Sequence, residues 1–335
     1  ARSGAATRRS RPDRRGGQSR MSETPRLTVM DVDTGIDDAM ALALATRSPE
    51  LALLAATTLA GTVDVAQTTA NTLNVLAYLD AADVPVHRGA SRALARPHHH
   101  AAHFHGDSGL GSAVLAASER GVSPERGPAA IIRHAVARPG ELTLVCTGPL
   151  TNLAIALNVA PELPTLLKSV VVMGGAYHVG GNVTPHAEFN VFVDPEAAVE
   201  VFSNRALDLT VVGLDVTYRV ALPKAVWEAA ATVSSPYAQL IARVCAWAWT
   251  GHRRTGLFLH DPLTVAVALD PTLVDCTRRS VTVSCASENR GETRAERAGT
   301  IKVAETVEAE RFLSSFAETL GLTWVSADPA SLVAV

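Results

Sequence analysis

Four aspartates crowd into eight residues near the beginning of the chain, in the segment DVDTGIDD: Asp31, Asp33, Asp37 and Asp38. Carboxylates at this spacing repel one another, so they need protons or a cation to neutralise them. Oxygen ligands without cysteine or histidine favour a hard cation, Ca²⁺ or Mg²⁺. Helix capping is the simpler explanation, but it requires only one or two acids.

The order of these residues excludes one motif and leaves one enzyme class open. In an EF-hand loop beginning at Asp31, glycine belongs at position six and glutamate at position twelve, where this chain has Ile36 and Leu42. An Asp-x-Asp pair after a first strand also fits a haloacid-dehalogenase-like phosphohydrolase, with Asp31 as nucleophile and Asp33 as acid/base. That chemistry requires a lysine and a later acidic pair, and none of the three lysines precedes a convincing pair.

The elements around this segment predict the fold. Short runs that are apolar throughout, such as 27–30, 142–146 and 169–173, alternate with helix-like segments such as 36–47 and 150–160. Strands apolar on both faces and separated by helices are typical of a mainly parallel sheet covered on both sides. No linker divides the body, so we expect an open α/β sheet in a single domain. Its ligand crevice should lie at the carboxyl ends of the strands.

The first twenty residues differ from the rest of the chain in charge. They carry seven arginines and one aspartate, a net charge of +6, whereas the remainder is mildly acidic. We therefore expect a disordered basic extension over residues 1–24 and the folded domain over residues 25–325. The acidic body lacks the basic surface that is typical of nucleic-acid binding.

Hydrophobic runs and cysteines bear on the compartment. No apolar run reaches the roughly 18–20 residues that span a membrane, and no apolar segment of a secretory signal follows the first arginines. The four cysteines form no CxxC pair and suggest neither zinc nor a disulfide framework. We therefore expect a reduced, cytoplasmic protein without nucleic-acid or membrane partners.

Five ordered segments carry a family resemblance. They are DVDTGIDDAMAL (31–42), HGDSGLG (105–111), TGPLTNLA (147–154), VVMGGAYHVGGNVTPHAEFNVFVDPEAA (171–198) and LHDPLTVA (259–266). Together they resemble the inosine-uridine-preferring nucleoside hydrolases, from about Leu27 to the C-terminal helix. The resemblance implies an open α/β enzyme that hydrolyses ribonucleosides to a free base and ribose.

The resemblance also implies one Ca²⁺ in each active site. Mapped by motif, Asp33, Asp38 and Asp261 supply carboxylate ligands, and Thr147 supplies its backbone carbonyl. A water molecule and ribose hydroxyls complete the metal shell, and Asp33 takes a proton from that water. The enzyme would act in purine or pyrimidine salvage as a homodimer or homotetramer.

The residues that contact the nucleoside follow from the same motifs. Asp37 accepts a hydrogen bond from a ribose hydroxyl, and Met173 lies beneath the ribose. His260 is in position to give the leaving base a proton or a strong hydrogen bond, while His105 lies at the base end of the pocket. The remaining ribose-binding residues are Asn182, Glu188 and Asn190.

Two positions depart from the family pattern. Thr34 stands where the family usually has proline, in a turn that threonine can also adopt. Thr62 stands where the family usually has an asparagine beside the ribose and the metal, and it offers one hydroxyl and no amide. Thr62 remains a candidate substrate contact, and we expect weaker ribose binding or an altered sugar preference with the metal retained.

Two other groups of residues leave alternatives open. Trp247 and Trp249, which precede the His-Asp-Pro motif, either stack on the base or pack in the core. The histidines at 98–100 and His103 form either a polar loop or a transition-metal site.

A ribonucleoside hydrolase is the favoured function, and two alternatives remain. One is the Mg²⁺-dependent phosphohydrolase, and the other is a catalytically weak nucleoside- or ribose-binding protein that keeps the metal. The preferred base is not fixed, because base contacts come from variable loops.

Overall fold

A computed structural model describes residues 24–251 and 256–324, so the expected basic extension lies almost wholly outside the described residues. Eleven strands are present in these ranges. They are β1 (Arg26–Val32), β2 (Leu51–Thr58), β3 (Val86–Arg88), β4 (Leu142–Cys146), β5 (Leu167–Met173), β6 (Leu209–Val212), β7 (Ala221–Pro223), β8 (Gly256–Phe258), β9 (Val274–Val283), β10 (Thr293–Arg297) and β11 (Ile301–Val307).

Thirteen α-helices and two short 3₁₀ turns connect these strands within the same ranges. The helices are α1 (Ile36–Arg47), α2 (Val65–Tyr78), α3 (Ala102–His105), α4 (Gly127–Ala137), α5 (Thr151–Val159), α6 (Leu163–Leu166), α7 (Phe189–Val193), α8 (Pro195–Ser203), α9 (Leu214–Thr217), α10 (Lys224–Ala230), α11 (Pro236–Gly251), α12 (His260–Leu269) and α13 (Ala309–Leu320). The 3₁₀ turns are Pro271–Leu273 and Ser287–Asn289. None of the helices in the described part of the chain has the length and apolar character needed to cross a membrane.

The central sheet has nine strands in the order β10-β9-β11-β6-β5-β4-β1-β2-β3. Pairing is parallel from β11 to β3 and antiparallel where β9 joins β10 and β11. The predicted open, mainly parallel α/β sheet is therefore confirmed. The strands β7 and β8 form a separate antiparallel pair.

Helices cover both faces of the sheet, as expected from strands that are apolar on both sides. Alternate residues of β1 point into two different cores: Met30 and Val32 into one, Val29 into the other. The first core contains residues of α1, α11, α12 and α13, and the second contains residues of α4, α5 and α8. The helices α1 and α12 pack against each other, which brings the first acidic motif close to the His-Asp-Pro motif.

The predicted elements agree with the structure best where they are regular. The helix at 36–47 and the strand at 142–146 have the expected bounds. The strand expected over 207–215 is shorter, because Gly213 ends it and begins α9. A Cβ atom at Gly213 would approach the carbonyl oxygen of Gly175 to 2.9 Å, so the turn requires glycine.

Candidate active site

A cavity of about 410 Å³ opens at one edge of the sheet, where residues at or beyond the carboxyl ends of β1, β2, β5 and β6 line it. Carboxylates and amides line one part of it, and aromatic rings line another. None of the described residues that line it is an arginine or a lysine. The lining includes Asp33, Asp37, Asp38, Thr62, Phe104, His105, Met173, Asn182, Glu188, Phe189, Asn190, Tyr218, Phe258 and His260.

Asp33 follows directly on β1 and is almost completely buried. Its Oδ2 atom accepts two hydrogen bonds from Thr62, one from the backbone nitrogen at 2.6 Å and one from the hydroxyl at 2.9 Å. A Cβ atom at Gly61 would overlap the Asp33 carboxylate, and one at Gly148 would come within 2.7 Å of its Oδ1. Two glycines and Thr62 therefore fix the direction of this carboxylate.

Asp37, Asp38 and Asp261 form the group of possible metal ligands in the described part of the chain. Each offers an oxygen that lies within 4.8 Å of the other two. Asp37 and Asp38 occupy the first turn of α1, and Asp261 occupies the first turn of α12. Asp38 is held by the Gly35 nitrogen at 3.0 Å and by the Thr147 hydroxyl at 2.7 Å.

The protonation of this group reflects burial and mutual repulsion. Burial raises the pKa of Asp33 and of Asp261 well above the usual value, and neighbouring aspartates raise both further. Burial and the charge of Asp38 raise the pKa of Asp37 to about 7. Burial also raises the pKa of Asp38, against the opposing effect of its hydrogen bonds. A divalent cation would remove this repulsion, because it replaces protons as the neutralising charge.

Thr147 and Asn190 connect the acidic group with the neighbouring wall. The Thr147 backbone nitrogen donates to the carbonyl oxygen of Asp31 at 2.9 Å. The Asn190 side-chain nitrogen donates to the Thr147 carbonyl at 2.8 Å and lies 3.4 Å from the sulfur of Met173. A carbonyl oxygen has two lone pairs, so Thr147 retains acceptor capacity for a cation.

Glu188 and Asn182 occupy the wall formed by the glycine-rich segment after β5. Glu188 caps α7, where its carboxylate accepts from the backbone nitrogens of Asn190 and Val191 at 2.7 and 3.1 Å. Burial raises the pKa of Glu188, although these hydrogen bonds oppose the effect. The Asn182 carbonyl oxygen accepts from the Phe189 nitrogen at 2.8 Å. The side-chain nitrogen of Asn182 is then the polar group that this residue can offer to a ligand in the cavity that it lines.

His260 stands beside Asp261 within an aromatic wall. The Nδ1 atom of its ring lies 2.8 Å from the Thr217 hydroxyl. The ring of Tyr218 lies 5.9 Å from that of His260, and the ring of Phe258 lies 5.7 Å from it, centroid to centroid. Nothing in the sequence pattern singled out Thr217, Tyr218 or Phe258, because aromatic and hydroxyl residues beside short elements are also common in cores.

His105 lies at the end of α3, beside the acidic turn. Its Nδ1 atom accepts a hydrogen bond from the Ile36 nitrogen at 3.1 Å and lies 3.9 Å from an oxygen of Asp37. Asn71 ties the same two segments together, because its amide donates to the carbonyls of Thr34 and Ser108 at 3.0 and 2.8 Å. The loop 105–111 is thus attached to the turn that carries the aspartates.

Asp31 does not line the cavity but lies beneath it, fully buried. One of its oxygens accepts from the Thr57 hydroxyl at 2.5 Å and from the Asn152 amide at 2.7 Å. Burial raises the pKa of Asp31 to about 7. The side chain joins β1 to β2 and α5, which is a structural task.

The tryptophans lie outside the cavity, whereas one histidine of the histidine-rich loop lines it. Trp249 is nearly buried and packs on Trp227, whereas the indole nitrogen of Trp247 donates to the Phe104 carbonyl at 3.1 Å. Neither tryptophan is among the described residues that line the cavity. His103 does line it, but none of the histidines at 98–103 joins a group of three possible metal ligands in the described chain.

A sequence model of one family matches residues 28–314, and its description is inosine-uridine preferring nucleoside hydrolase. The chain is 34% identical over 300 residues to the probable uridine nucleosidase 2 of Arabidopsis thaliana, which covers 84% of this chain and 93% of the relative. It is 40% identical over 262 residues to the pyrimidine-specific ribonucleoside hydrolase RihA of Enterobacter sp. (strain 638), which covers 76% of this chain and 82% of the relative.

The fold agrees with solved structures of the same class. The purine-preferring ribonucleoside hydrolase from Gardnerella vaginalis superimposes with a TM-score of 0.83 at 32% sequence identity, over 88% of this chain and 98% of that one. Similar proteins thus carry names that differ in the preferred base.

Proposed function

The chain belongs to the inosine-uridine preferring nucleoside hydrolase family, and from that premise we propose that it hydrolyses the N-glycosidic bond of ribonucleosides with the help of Ca²⁺. One observation carries the proposal. A buried group of carboxylates lies at the same cavity as amide and carboxylate side chains that could bind ribose hydroxyls, and as a wall of aromatic rings that could contact a base. A ribonucleoside offers the matching parts, which are a diol, a sugar ring and an aromatic base.

The donor set fits Ca²⁺. Asp33, Asp38 and Asp261, with the carbonyl of Thr147, would hold the ion through oxygen atoms, as this hard cation prefers. The raised pKa values of the three carboxyls support the assignment: burial raises all three, and neighbouring aspartates raise those of Asp33 and Asp261 further, so a cation in their midst would stabilise the ionised forms. When bound, Ca²⁺ supplies Lewis-acid activation of a water molecule and a common anchor for that water and the ribose diol.

Asp33 would remove the proton from the attacking water. Asp33 follows directly on β1 and lines the cavity, so its carboxylate would face a water molecule held there. The two hydrogen bonds from Thr62 hold Oδ2 of Asp33, so Oδ1 would be the oxygen that takes the proton. Thr62 would therefore contribute by positioning the carboxylate of Asp33, the catalytic base.

The ribose would bind the polar wall. Cleavage of a glycosidic bond passes through an oxocarbenium-like transition state, in which positive charge develops on the sugar. Asp37 and Glu188 would stabilise that charge and accept hydrogen bonds from hydroxyls, and Asn182 would donate to the sugar. Asn190 and Met173 would complete the floor beneath the ribose.

The base would lie against the aromatic wall, where His260 would give it a hydrogen bond or a proton as it leaves. Phe189, Tyr218 and Phe258 provide apolar faces for an aromatic ring. His105 would lie at the base end of the pocket, near α3.

The phosphohydrolase alternative requires Asp31 as the nucleophile. Asp31 is fully buried beneath the cavity and is hydrogen-bonded to Thr57 and Asn152. A phosphate ester in the cavity would meet Asp33 and Asp37 instead, and no lysine or arginine among the described lining residues would bind its charge. The binding-protein alternative retains the metal and the ribose wall but lacks turnover.

A panel of inosine, uridine, cytidine, adenosine and guanosine tests the proposal, with released reducing sugar as the readout. We expect release of ribose from at least one nucleoside in Ca²⁺ buffer, none with Asp33→Ala, and no phosphate release from p-nitrophenyl phosphate. Tight ribose binding without base release would support the binding protein, and phosphate release would support the phosphohydrolase.

The proposal extends to the cellular setting that the resemblance implies. The protein would act as a cytoplasmic homodimer or homotetramer in purine or pyrimidine salvage. Light scattering on the purified full chain measures the assembly, and a monomer would contradict this part.

A further inference from the structure

We propose that Thr217 is a positioning residue that holds His260 in the tautomer with its proton on Nε2. The inference rests on the proposed function, because it assigns His260 to the leaving base. Thr217 ends the short helix α9, which follows β6, and its side chain is fully buried.

The buried Thr217 hydroxyl contacts the imidazole ring of His260 directly. In the structure, its side-chain hydrogen-bond partner is Nδ1 of His260, at 2.8 Å. A buried hydroxyl needs an acceptor for its proton, and buried polar groups are almost always satisfied. The hydroxyl therefore donates to Nδ1, which must then carry a lone pair. The proton of the neutral imidazole is left on Nε2.

The ring has little freedom to turn away from this contact. Tyr218, the next residue after Thr217, places its ring 5.9 Å from the His260 ring, and Phe258 packs at 5.7 Å. These two aromatic rings are themselves 4.8 Å apart. Two consecutive residues thus hold the same imidazole, one through a hydroxyl and one through an aromatic ring. Nδ1 of the imidazole faces Thr217, and Nε2 is the other ring nitrogen of this cavity-lining side chain. Nε2 is therefore the nitrogen that we assign to the leaving base.

This arrangement gives His260 a defined role in the step. As the bond between the sugar carbon and the base nitrogen breaks, the electron pair moves onto the base. Nε2–H donates a hydrogen bond to that developing negative charge. Water supplies the hydroxyl group to the sugar and its proton to Asp33. The balance closes when Asp33 returns the proton to solvent and solvent protonates the released base.

The test compares Thr217→Val and Thr217→Ser with Thr264→Val as the matched control. Thr264 is also fully buried, and its hydroxyl donates to the backbone oxygen of His260 at 3.1 Å rather than to the ring. With inosine, Thr217→Val should lower kcat roughly 10- to 100-fold, as misplaced catalytic groups do, and Thr217→Ser should retain most of it. With a p-nitrophenyl riboside, whose leaving group needs little help, all three variants should remain close to the wild type.

A second readout is independent of turnover. Nitrogen chemical shifts of ¹⁵N-histidine-labelled protein distinguish the two tautomers, and the His260 signal is identified by its loss in His260→Gln. The wild type and Thr217→Ser should show the proton on Nε2, and Thr217→Val should show a mixture. A proton on Nδ1 in the wild type, or equal losses on both substrates, would overturn the inference. Absence of ribose release by the wild type would instead count against the proposed function.

Discussion

Asp261→Asn should stabilise the metal-free protein and weaken its response to Ca²⁺. The oxygens of Asp37, Asp38 and Asp261 lie within 4.8 Å of one another. With an effective dielectric constant of about 20, each fully ionised pair at that distance costs about 3.5 kcal/mol. A protonated Asp261 donates a hydrogen bond to Asp37, which relieves part of this cost. Asp261 belongs to two such pairs, one with Asp37 and one with Asp38. Because the shared proton already relieves the pair with Asp37, we expect a gain of about 3.5 kcal/mol in the free energy of unfolding, equal to the pair with Asp38.

The gain should depend on pH. The folded-state pKa of Asp37 is raised from the ordinary value to about 7, so the folded chain binds a proton that the unfolded chain has released. The stability that this proton confers is fully present below about pH 4 and is lost as the pH rises to about 7. The advantage of Asp261→Asn should therefore be small at pH 4 and reach its full size above pH 7.

Chemical denaturation in excess chelator and in excess Ca²⁺ measures both effects. At a Ca²⁺ concentration 100 times its dissociation constant, the wild type should gain about 2.7 kcal/mol, and Asp261→Asn should gain much less. Asp83→Asn, which removes an exposed carboxylate, should behave like the wild type. If Asp261→Asn lowers stability in chelator, or gains as much from Ca²⁺ as the wild type, the reasoning from charge repulsion is wrong.

Three further predictions concern activity. Chelation should abolish nucleoside hydrolysis and added Ca²⁺ should restore it, whereas full activity in excess chelator would refute the metal dependence. Gly61→Ala should lower kcat roughly 100-fold or more, because the new Cβ atom would displace the Asp33 carboxylate. Gly121→Ala is the matched control and should leave kcat unchanged, because a Cβ atom there would meet open space. His260→Ala should lower kcat about 10²–10⁴-fold on inosine and little on a p-nitrophenyl riboside, whereas Asp261→Ala should lower kcat on both substrates. Equal losses of kcat on the two substrates for His260→Ala would show that His260 acts through the sugar or the metal shell.

The regular parts of the fold could be predicted because their signal is local. Apolar runs and helical spacing are properties of a few neighbouring residues, so α1 and β4 have the expected bounds. The strand β10 was not predicted, because TRAER contains three charged residues and no apolar run. The pair β7 and β8 also escaped prediction, since each has three residues and its partner lies far away in the sequence.

The candidate site could be predicted only where a motif names it. The aspartates of DVDTGIDD and the HDP segment suggested one centre, and α1 and α12 bring Asp37, Asp38 and Asp261 together. The aromatic wall could not be predicted, because Tyr218 and Phe258 gain their meaning from packing against His260. The same limit applies to Thr217, whose hydroxyl meets a ring from a distant helix.

The position of β1 inside the sheet, between β4 and β2, links the site to the order in which the chain folds. Asp33 directly follows β1, the first strand. The strand β4, from residue 142 onward, must pair with β1 before Thr147 reaches Asp38. Asp261 arrives later still, on α12. A chain that ends before α12 contains six of the nine strands of the central sheet but lacks Asp261. Because such long-range contacts form slowly, we expect the recovery of cation binding during refolding to lag behind the return of helical secondary structure.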